Sequence, residues 1–374
     1  MTARVWIVIS LVLVISCTKD SDPGRIEAFD ATIETFAGTS FGAWGDGGPA
    51  TEAQLGYVTG VAVDAEGNVY ISDGAANTIR KVNTSNVITT VAGAFRGWNI
   101  ADQHPYSGDG GPATSAKINF PQALTVDGVG NIYISDAANH VLRKVNTSGI
   151  ISTIAGLNRT GYSGDNGPAS QALIYNPNGI TTDAAGNIYF SDSQNHLIRK
   201  ISTDGKITTI AGKAAIAGYS GDGGPATSAT LNMPQWIAVD DSGNIYFSDN
   251  NSVIRRISPD GTIRTIAGIG VHGFGGDGGP ATQAQLLAPK GIAIAKDGTI
   301  IFADAGNGRI RRILPDRGII ETIAGTGEYS YKGDGGPAIQ ATFADPQGVA
   351  VDAAGNIYVA DAGSAVIRVI KPVH

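Results

Sequence analysis

The chain has 374 residues, of which 42% are hydrophobic and 52 are glycine, so it can bury a substantial core but has too many glycines for a helical protein. Its net charge is −7 and its pI is near 5.2, with no basic run after the N-terminal segment. Nucleic-acid binding requires clustered Lys and Arg, so we expect no nucleic acid among its partners.

The N-terminus has the features of an export signal. Arg4 precedes an apolar run, Val5 to Ile15, that is too short to span a bilayer comfortably. The run ends at Val14-Ile15-Ser16-Cys17, which resembles the bacterial lipobox, where a signal peptidase cuts before a cysteine that becomes lipidated. Cys17 is the sole cysteine, so it has no disulfide partner. We expect a signal peptide at 1–16 and a lipidated Cys17; the alternative is an ordinary signal peptide with a chance cysteine.

Residues 17–31 are mostly polar, contain Pro23-Gly24, and are predicted to form a flexible tether. The residue after the cysteine is Thr18, not the aspartate that favours inner-membrane retention in enterobacterial lipoproteins. The expected location is therefore a bacterial cell envelope, at the outer membrane or cell surface. The lipid anchor is the only membrane contact that we expect.

One motif organises the rest of the chain. Gly45-Asp46-Gly47-Gly48-Pro49-Ala50 recurs five more times, with one variation at Asn166. Self-similarity at a nearly fixed period indicates a repeat architecture. The motif aspartates are Asp46, Asp109, Asp165, Asp222, Asp277 and Asp334.

Each repeat is predicted to be an antiparallel meander of four strands, a to d, separated by Gly, Asn and Asp turns. In the third repeat these strands are residues 179–183, 188–192, 197–201 and 206–210. Six such units arranged radially make an all-β, six-bladed β-propeller, which we assign to 32–371 and expect to be monomeric. The last repeat ends after strand c, and residues 32–38 match the missing strand d. The N-terminal strand is therefore predicted to complete the last blade and leave no open sheet edge.

The segment after strand b carries a family signature. Asp136-Ala137-Ala138-Asn139-His140 and Asp192-Ser193-Gln194-Asn195-His196, each closely followed by an arginine, resemble the signature of NHL repeats. The resemblance covers 32–371, and the glycine-rich motif is similar to that in NHL repeats of secreted bacterial proteins and of the teneurin ectodomain. It implies a propeller used mostly for binding, with enzymes as a minority.

Alternate loops of an antiparallel meander emerge at the same end. The b–c loops and the d–a crossings therefore share one face, which we call the crossing face, and the short a–b and c–d turns share the other, the turn face. The repeated motif and the aromatic residue before it cluster on the crossing face. Because long loops commonly carry function, we expect this face to be the binding surface.

The residues that recur in all six repeats are interpreted as structural. The motif glycines permit a tight turn, and the Pro-Ala run after them is expected to begin a helix of one or two turns with Pro at its first position. An aspartate after strand b and an arginine in strand c also recur and are expected to link blades. One carboxylate per motif falls short of a calcium site, so no cofactor is predicted; calcium is the one metal left open.

The residues that break the sixfold pattern are the ligand-binding candidates. Trp98 and His104 lie in an insertion, His272 has no counterpart in other crossings, and Trp236 replaces a glycine at the start of strand a. The adjacent positions are expected to form a polar ring at the mouth of the central channel: Thr59, Gln122, Asn178, Gln235, Lys290 and Gln347. Such a ring with an indole suits a small polar ligand, a glycan or a peptide. The alternative is that Trp236 fills a packing gap and the insertion has no binding role.

Two classes of function remain open. Propellers related to NHL repeats include calcium-dependent lactonases and zinc-dependent lyases, but here no glutamate precedes a strand a, and the five histidines do not predict a zinc site. We therefore expect no catalytic or metal-binding residues. We expect a binding or scaffold propeller that recognises a protein, peptide or glycan. A metal-dependent, lactonase-like hydrolase with its site at the channel mouth is the alternative.

Overall fold

The computed structural model describes residues 29–95 and 106–373. Within these ranges, the strands form six four-stranded antiparallel sheets, each of which is one blade. In five blades the strand order in the sheet follows the chain order, as a meander requires. The strands are rich in Ile, Val and Tyr, which favour pleated structure, and Gly and Asn occupy the turns between them.

The chain begins with β1 (Ala31–Ala37), which belongs to the last blade. Blade 1 consists of β2 (Val58–Val63), β3 (Val69–Asp73), β4 (Thr78–Val82) and β5 (Ile88–Ala92). Blade 2 consists of β6 (Pro121–Val126), β7 (Ile132–Asp136), β8 (Val141–Val145) and β9 (Ile151–Ala155). Blade 3 consists of β10 (Pro177–Thr182), β11 (Ile188–Asp192), β12 (Leu197–Ile201) and β13 (Ile207–Gly212).

Blade 4 consists of β14 (Ile237–Val239), β15 (Ile245–Asp249), β16 (Val253–Ile257) and β17 (Ile263–Ala267). Blade 5 consists of β18 (Pro289–Ile294), β19 (Ile300–Asp304), β20 (Arg309–Leu314) and β21 (Ile319–Ala324). Blade 6 consists of β22 (Pro346–Val351), β23 (Ile357–Asp361), β24 (Val366–Pro372) and β1. The described residues contain only short 3₁₀ helices besides these strands, and none is long and apolar enough to cross a membrane.

The ring closes as predicted. β1 pairs antiparallel with β24, and Ile33 lies opposite Ile370. The sixth copy of the motif then binds β1 as it would bind an ordinary strand d. Gly335 N–H donates to Ile33 O at 2.8 Å, and Ile33 N–H donates to Gly336 O at 3.1 Å. The first strand of the propeller therefore completes its last sheet.

The hydrophobic core lies between neighbouring blades. Ile198 of blade 3 and Phe247 of blade 4 belong to one buried cluster, together with Leu231 from the crossing that joins the two blades. Each sheet is covered on both faces, which explains why a strand b such as Ile245–Asp249 is buried at every residue. Burial between blades fixes the spacing of the strands around the axis.

The Pro-Ala run of the motif forms a single 3₁₀ turn, which is the shorter form of the expected one- or two-turn helix, but the expectation of Pro at its first position was wrong. Pro225 precedes the turn in extended conformation, and Ala229 N–H donates to Ala226 O at 3.1 Å before the chain becomes extended again. Both alanines are buried, and a Cβ on Gly221 would lie 2.7 Å from Ala229 Cα. This close packing leaves no room for a longer helix. The six turns are Ala50–Glu52, Ala113–Ser115, Ala169–Gln171, Ala226–Ser228, Ala281–Gln283 and Ala338–Gln340.

Four b–c loops contain similar turns, each ended by a residue in left-handed conformation. These turns lie at the mouth end of the blades, because the end of strand b pairs with the start of strand a. Their ranges are Ala137–Asn139, Ser193–Asn195, Ala305–Asn307 and Ala362–Ser364.

Phe29 compensates for an irregularity in blade 5. Ile301 stands where the other five blades have a tyrosine, and Ala295 replaces the aspartate that binds that tyrosine. Phe29 packs against the core cluster containing Ile301, with its ring centroid 4.8 Å from the guanidinium carbon of Arg312. In blades 1 to 3 the equivalent cation is a lysine placed over the tyrosine ring. Phe29, two residues before β1, therefore supplies the aromatic ring that blade 5 lacks at this position.

Candidate functional site

A buried arginine in each blade supports the crossing face. Arg199 in β12 donates to the motif carboxylate of Asp165 at 2.6 Å, to Asp192 at the end of β11 at 3.3 Å, and to two backbone carbonyls. The ring of Tyr162 lies 5.1 Å from its guanidinium carbon. The six equivalent arginines are at most 1% exposed: Arg80, Arg143, Arg199, Arg255, Arg311 and Arg368.

The two carboxylates that bind this arginine have opposite pKa shifts. Burial raises the pKa of Asp192 to about 6, against the opposing effects of Arg199 and Asn195. Burial acts in the same direction on Asp165, but hydrogen bonds from Thr209 and Arg199 outweigh it and leave the pKa of this carboxyl below its usual value. Both carboxylates are engaged inside the fold, which supports the structural interpretation of the repeated residues.

The signature histidines connect neighbouring blades. His196 Nδ1 accepts a hydrogen bond from Met233 N–H at 3.0 Å, and His140 Nδ1 accepts one from Asn176 N–H at 3.2 Å. Burial lowers the pKa of both histidines. A neutral imidazole with an accepting nitrogen is what this contact requires. These histidines therefore belong to the framework of repeated residues.

The structure brings five of the six predicted ring residues together at the channel mouth. They line a cavity of about 430 Å³ on the crossing face, here called the mouth cavity. Thr59 is the exception, because it is buried and its hydroxyl donates to Pro121 O of the next blade at 2.7 Å. Tyr57 lines the cavity from blade 1 instead, and Phe120 adds a second aromatic ring. The five ring residues that do line it are Gln122, Asn178, Gln235, Lys290 and Gln347.

Trp236 separates the mouth cavity from a second cavity of about 260 Å³ along the central channel. Its side chain is 7% exposed and packs with Tyr246 and Ile292. The blades on either side have Gly179 and Gly291 at the equivalent position, which leaves room for one indole at the axis. The indole therefore fills a gap, as the packing alternative requires, and also lines the candidate site.

Two hydrogen-bonded pairs connect ring residues of neighbouring blades. Asn178 Nδ2 donates to Gln235 Oε1 at 2.7 Å, and Gln235 Nε2 donates to Met233 O at 3.0 Å. Lys290 Nζ donates to Gln347 Oε1 at 2.7 Å. Because Met233 O fixes the orientation of the Gln235 amide, Asn178 must direct its amide nitrogen toward Gln235. Its Oδ1 atom is then buried and has no partner within the part of the chain that the structure describes.

Lys290 gives the mouth cavity a positive charge. None of the described carboxylates forms an ion pair with it, and none lines the cavity. Asp345 lies behind the ring, where it accepts hydrogen bonds from Gln347 Nε2 at 2.6 Å and from the Tyr57 hydroxyl. Burial lowers the pKa of Lys290, and the charge of Asp345 opposes this effect. Burial and Asp345 raise the pKa of Tyr57.

The described lining of this cavity includes none of the other predicted candidates. Trp98, His104 and the lipidation candidate Cys17 lie outside the described residues. His272 is exposed in its crossing and does not line the mouth cavity. Residues 29–95 and 106–373 contain no group of three or more His, Cys, Asp or Glu side chains placed to hold a metal ion.

Sequence reasoning missed the residues that precede the ring, namely Tyr57, Phe120 and Asp345. The available signal was a recurring tripeptide of variable residue, proline and polar residue, as in Phe120-Pro121-Gln122. Phe120 has φ +49° and Met233 has φ +43°, which is unusual for bulky side chains. The backbone N–H of each residue donates a hydrogen bond to a side chain of the preceding blade. These strained positions mark the rim of the mouth.

The chain matches a family model described as the teneurin NHL domain at residues 18–98, 99–163, 157–220, 217–275 and 271–332. A model described as the NHL repeat matches residues 343–370. Teneurin-1 of Gallus gallus is 31% identical over 280 residues, which cover 66% of this chain and 10% of teneurin-1. The chain therefore spans about a tenth of the length of the curated relatives that it matches.

Solved structures of several kinds share the fold. An auxiliary nutrient binding protein from Bacteroides thetaiotaomicron has a TM-score of 0.65 and 16% identity, covering 91% of this chain and 76% of that one. A gluconolactonase from Xanthomonas campestris has a TM-score of 0.56 and 13% identity, covering 92% of this chain and 90% of that one. At these identities the likeness shows the propeller fold alone. Since the family matches extend over most of the sequence, the chain belongs to the NHL-repeat family, in the form described for the teneurin NHL domain.

Proposed function

We propose that this protein is a non-catalytic binding propeller that recognises a protein, peptide or glycan at the mouth of its crossing face. The observation that carries the proposal is the mouth cavity, which is lined by polar ring residues of five blades and by Trp236. A concave site with a few convergent polar groups is the usual form of a ligand pocket.

The contrast between the framework and the mouth supports this proposal. The framework arginines and aspartates recur in every blade and bond to one another. The ring residues instead differ between blades, with one cation at Lys290 and one indole at Trp236. A ligand on the axis contacts several blades together, so these differences would determine its orientation.

The lactonase-like alternative has less support at the mouth. Calcium requires several oxygen ligands and usually carboxylates, whereas the described residues lining this cavity include no acid. Lys290 also places a positive charge in the cavity that a divalent cation would occupy. The amide oxygens of the ring are suited to hydrogen bonding with a ligand.

We further propose that the propeller is anchored in a bacterial cell envelope through a lipid on Cys17. β1 runs from the turn face to the crossing face, so Asp30, directly before it, lies on the turn face. There Val373 N–H donates to Asp30 O at 2.8 Å. A tether leaving from the turn face would hold the mouth away from the membrane. A Cys17→Ser variant should leave the membrane fraction; its retention there would contradict the anchor.

Photocrosslinking in cells tests the proposed binding site. A photoreactive amino acid replaces Gln122 at the mouth in one variant and the exposed Ala65 on the turn face in a matched variant. We expect a discrete adduct from position 122 and a much weaker one from position 65. Equal adducts from both positions, or an adduct only from position 65, would contradict binding at the mouth.

A further inference from the structure

We propose that the mouth cavity binds an acidic sugar, a polyhydroxylated ring with one carboxylate, such as a hexuronic acid at the end of a glycan. This assignment rests on the proposed function, because it names the ligand class of the same site. The chemical groups that line the cavity carry the inference.

Lys290 favours a ligand that carries a carboxylate. An ammonium group has three donors, and among the described residues only Gln347 Oε1 accepts a hydrogen bond from Lys290. The side chain is partly buried, and no carboxylate lines the cavity beside it. A partly desolvated cation is stabilised by an anion that can also accept its hydrogen bonds. One cation matches one carboxylate, whereas a phosphate dianion would leave a negative charge unbalanced.

Gln122 favours hydroxyl groups on the same ligand. Its side-chain amide lines the cavity and can both donate and accept hydrogen bonds. A carboxylate only accepts, so a second group of the ligand must supply the donor, and hydroxyl groups can both donate and accept. Asn178 lines the same cavity, but its Oδ1 atom is enclosed by the protein and its amide nitrogen donates to Gln235, so it holds the Gln235 amide in place.

The aromatic residues favour a ring-shaped ligand. Tyr57 and Phe120 both line the cavity, with their ring centroids 6.4 Å apart and their planes 23° from parallel. The indole of Trp236 lines another side. The aliphatic face of a sugar ring can pack on such surfaces while its hydroxyls reach the amides. The volume of about 430 Å³ is in the range of small-molecule sites.

Calorimetric titration of the purified full-length protein tests the assignment. The probes are sodium D-glucuronate, D-glucose and acetyl-glycyl-glycine, which offer respectively a carboxylate on a sugar, the sugar alone and a carboxylate on a peptide. We expect glucuronate to bind about tenfold more tightly than either control. Lys290→Gln should remove the preference over glucose, and Gln122→Leu should weaken glucuronate about tenfold. Lys296→Gln, on the turn face, should change neither.

Three results would overturn the acidic-sugar assignment. These are no binding of glucuronate at about 10 mM, tighter binding of the peptide than of glucuronate, and a preference for glucuronate that survives Lys290→Gln. The crosslinking experiment separates this failure from that of the proposed function. A mouth-specific adduct without glucuronate binding would leave the site in place and refute only the ligand class.

Discussion

Replacing Arg199 with methionine tests the interpretation of the repeated residues. The guanidinium is fully buried and binds two carboxylates and two backbone carbonyls. Methionine fills similar space but donates no hydrogen bonds. The change leaves Asp192 buried without its cation, and it removes the contact from the crossing to strand c through Asp165.

The expected loss of stability follows from that uncompensated charge. Removing one partner of a buried ion pair typically costs about 3–5 kcal/mol. Asp165 adds little to this figure, because its carboxylate is partly exposed and can be solvated. The loss should also depend on pH. The pKa of Asp192 is already raised to about 6 and should rise further without Arg199, so protonation at pH 5 should relieve part of the penalty present at pH 8.

Urea unfolding followed by circular dichroism at pH 8 and pH 5 measures both effects. Lys206→Met, at an exposed position on the turn face of the same blade, serves as the control and should change stability by less than about 0.5 kcal/mol. A loss below about 1 kcal/mol for Arg199→Met at pH 8 would refute a structural role for the repeated arginine. An equal loss at both pH values would refute the role assigned to Asp192.

Three further predictions concern the framework. Phe29→Ala should lower the free energy of unfolding in urea by about 1–2 kcal/mol, because it removes the ring over Arg312. Phe41→Ala, at an exposed position, should lower it by less than about 0.5 kcal/mol. Equal losses would refute the packing of Phe29 against blade 5. His196→Ala should lower the free energy of unfolding by about 1–2 kcal/mol, because it leaves Met233 N–H without its acceptor. His272→Ala should leave it nearly unchanged. A larger loss for His272→Ala than for His196→Ala would contradict the structural role assigned to His196. Four buried carboxyls have a folded-state pKa of about 6 against an ordinary 3.8, so at these groups the folded state holds more protons than the unfolded state as pH falls from 8 to 5. The lowered pKa values of His140 and His196 act in the opposite direction, but four carboxyls outweigh two histidines, so stability should rise over this range. Urea midpoints that fall from pH 8 to pH 5 would contradict this prediction. These carboxyls are Asp73, Asp136, Asp192 and Asp249.

The fold was predictable because its determinants are local and repeated. Strand patterns and Gly-Asp turns recur at a nearly constant spacing, and the unmatched strand at residues 32–38 identified the closing partner of β24. The polar ring was also predictable, since equivalent positions of radial strands meet around the axis. The helix after each motif was predicted, but Pro precedes it in extended conformation, and the helix is a single 3₁₀ turn whose buried alanines pack against a motif glycine.

The missed features depend on contacts between segments that are distant in sequence. Thr59 leaves the ring because its hydroxyl reaches a carbonyl of the next blade, and the periodicity of blade 1 does not contain this information. Phe29 appears in sequence as part of a polar tether, yet it packs over Arg312 of blade 5. Asn178 was predicted as a ring residue, but the direction of its amide follows only from the orientation of the Gln235 amide.

The central claim is that the repeated residues build the propeller and the residues that differ at the mouth carry its function. The double variant Asn178→Gln, Lys290→Gln tests this claim most directly, because it gives both positions the residue found at positions 122, 235 and 347. The measurement is the yield of the photoadduct from position 122 in this background. We predict a yield about tenfold lower with an unchanged unfolding midpoint. An unchanged yield in the folded variant would contradict the claim.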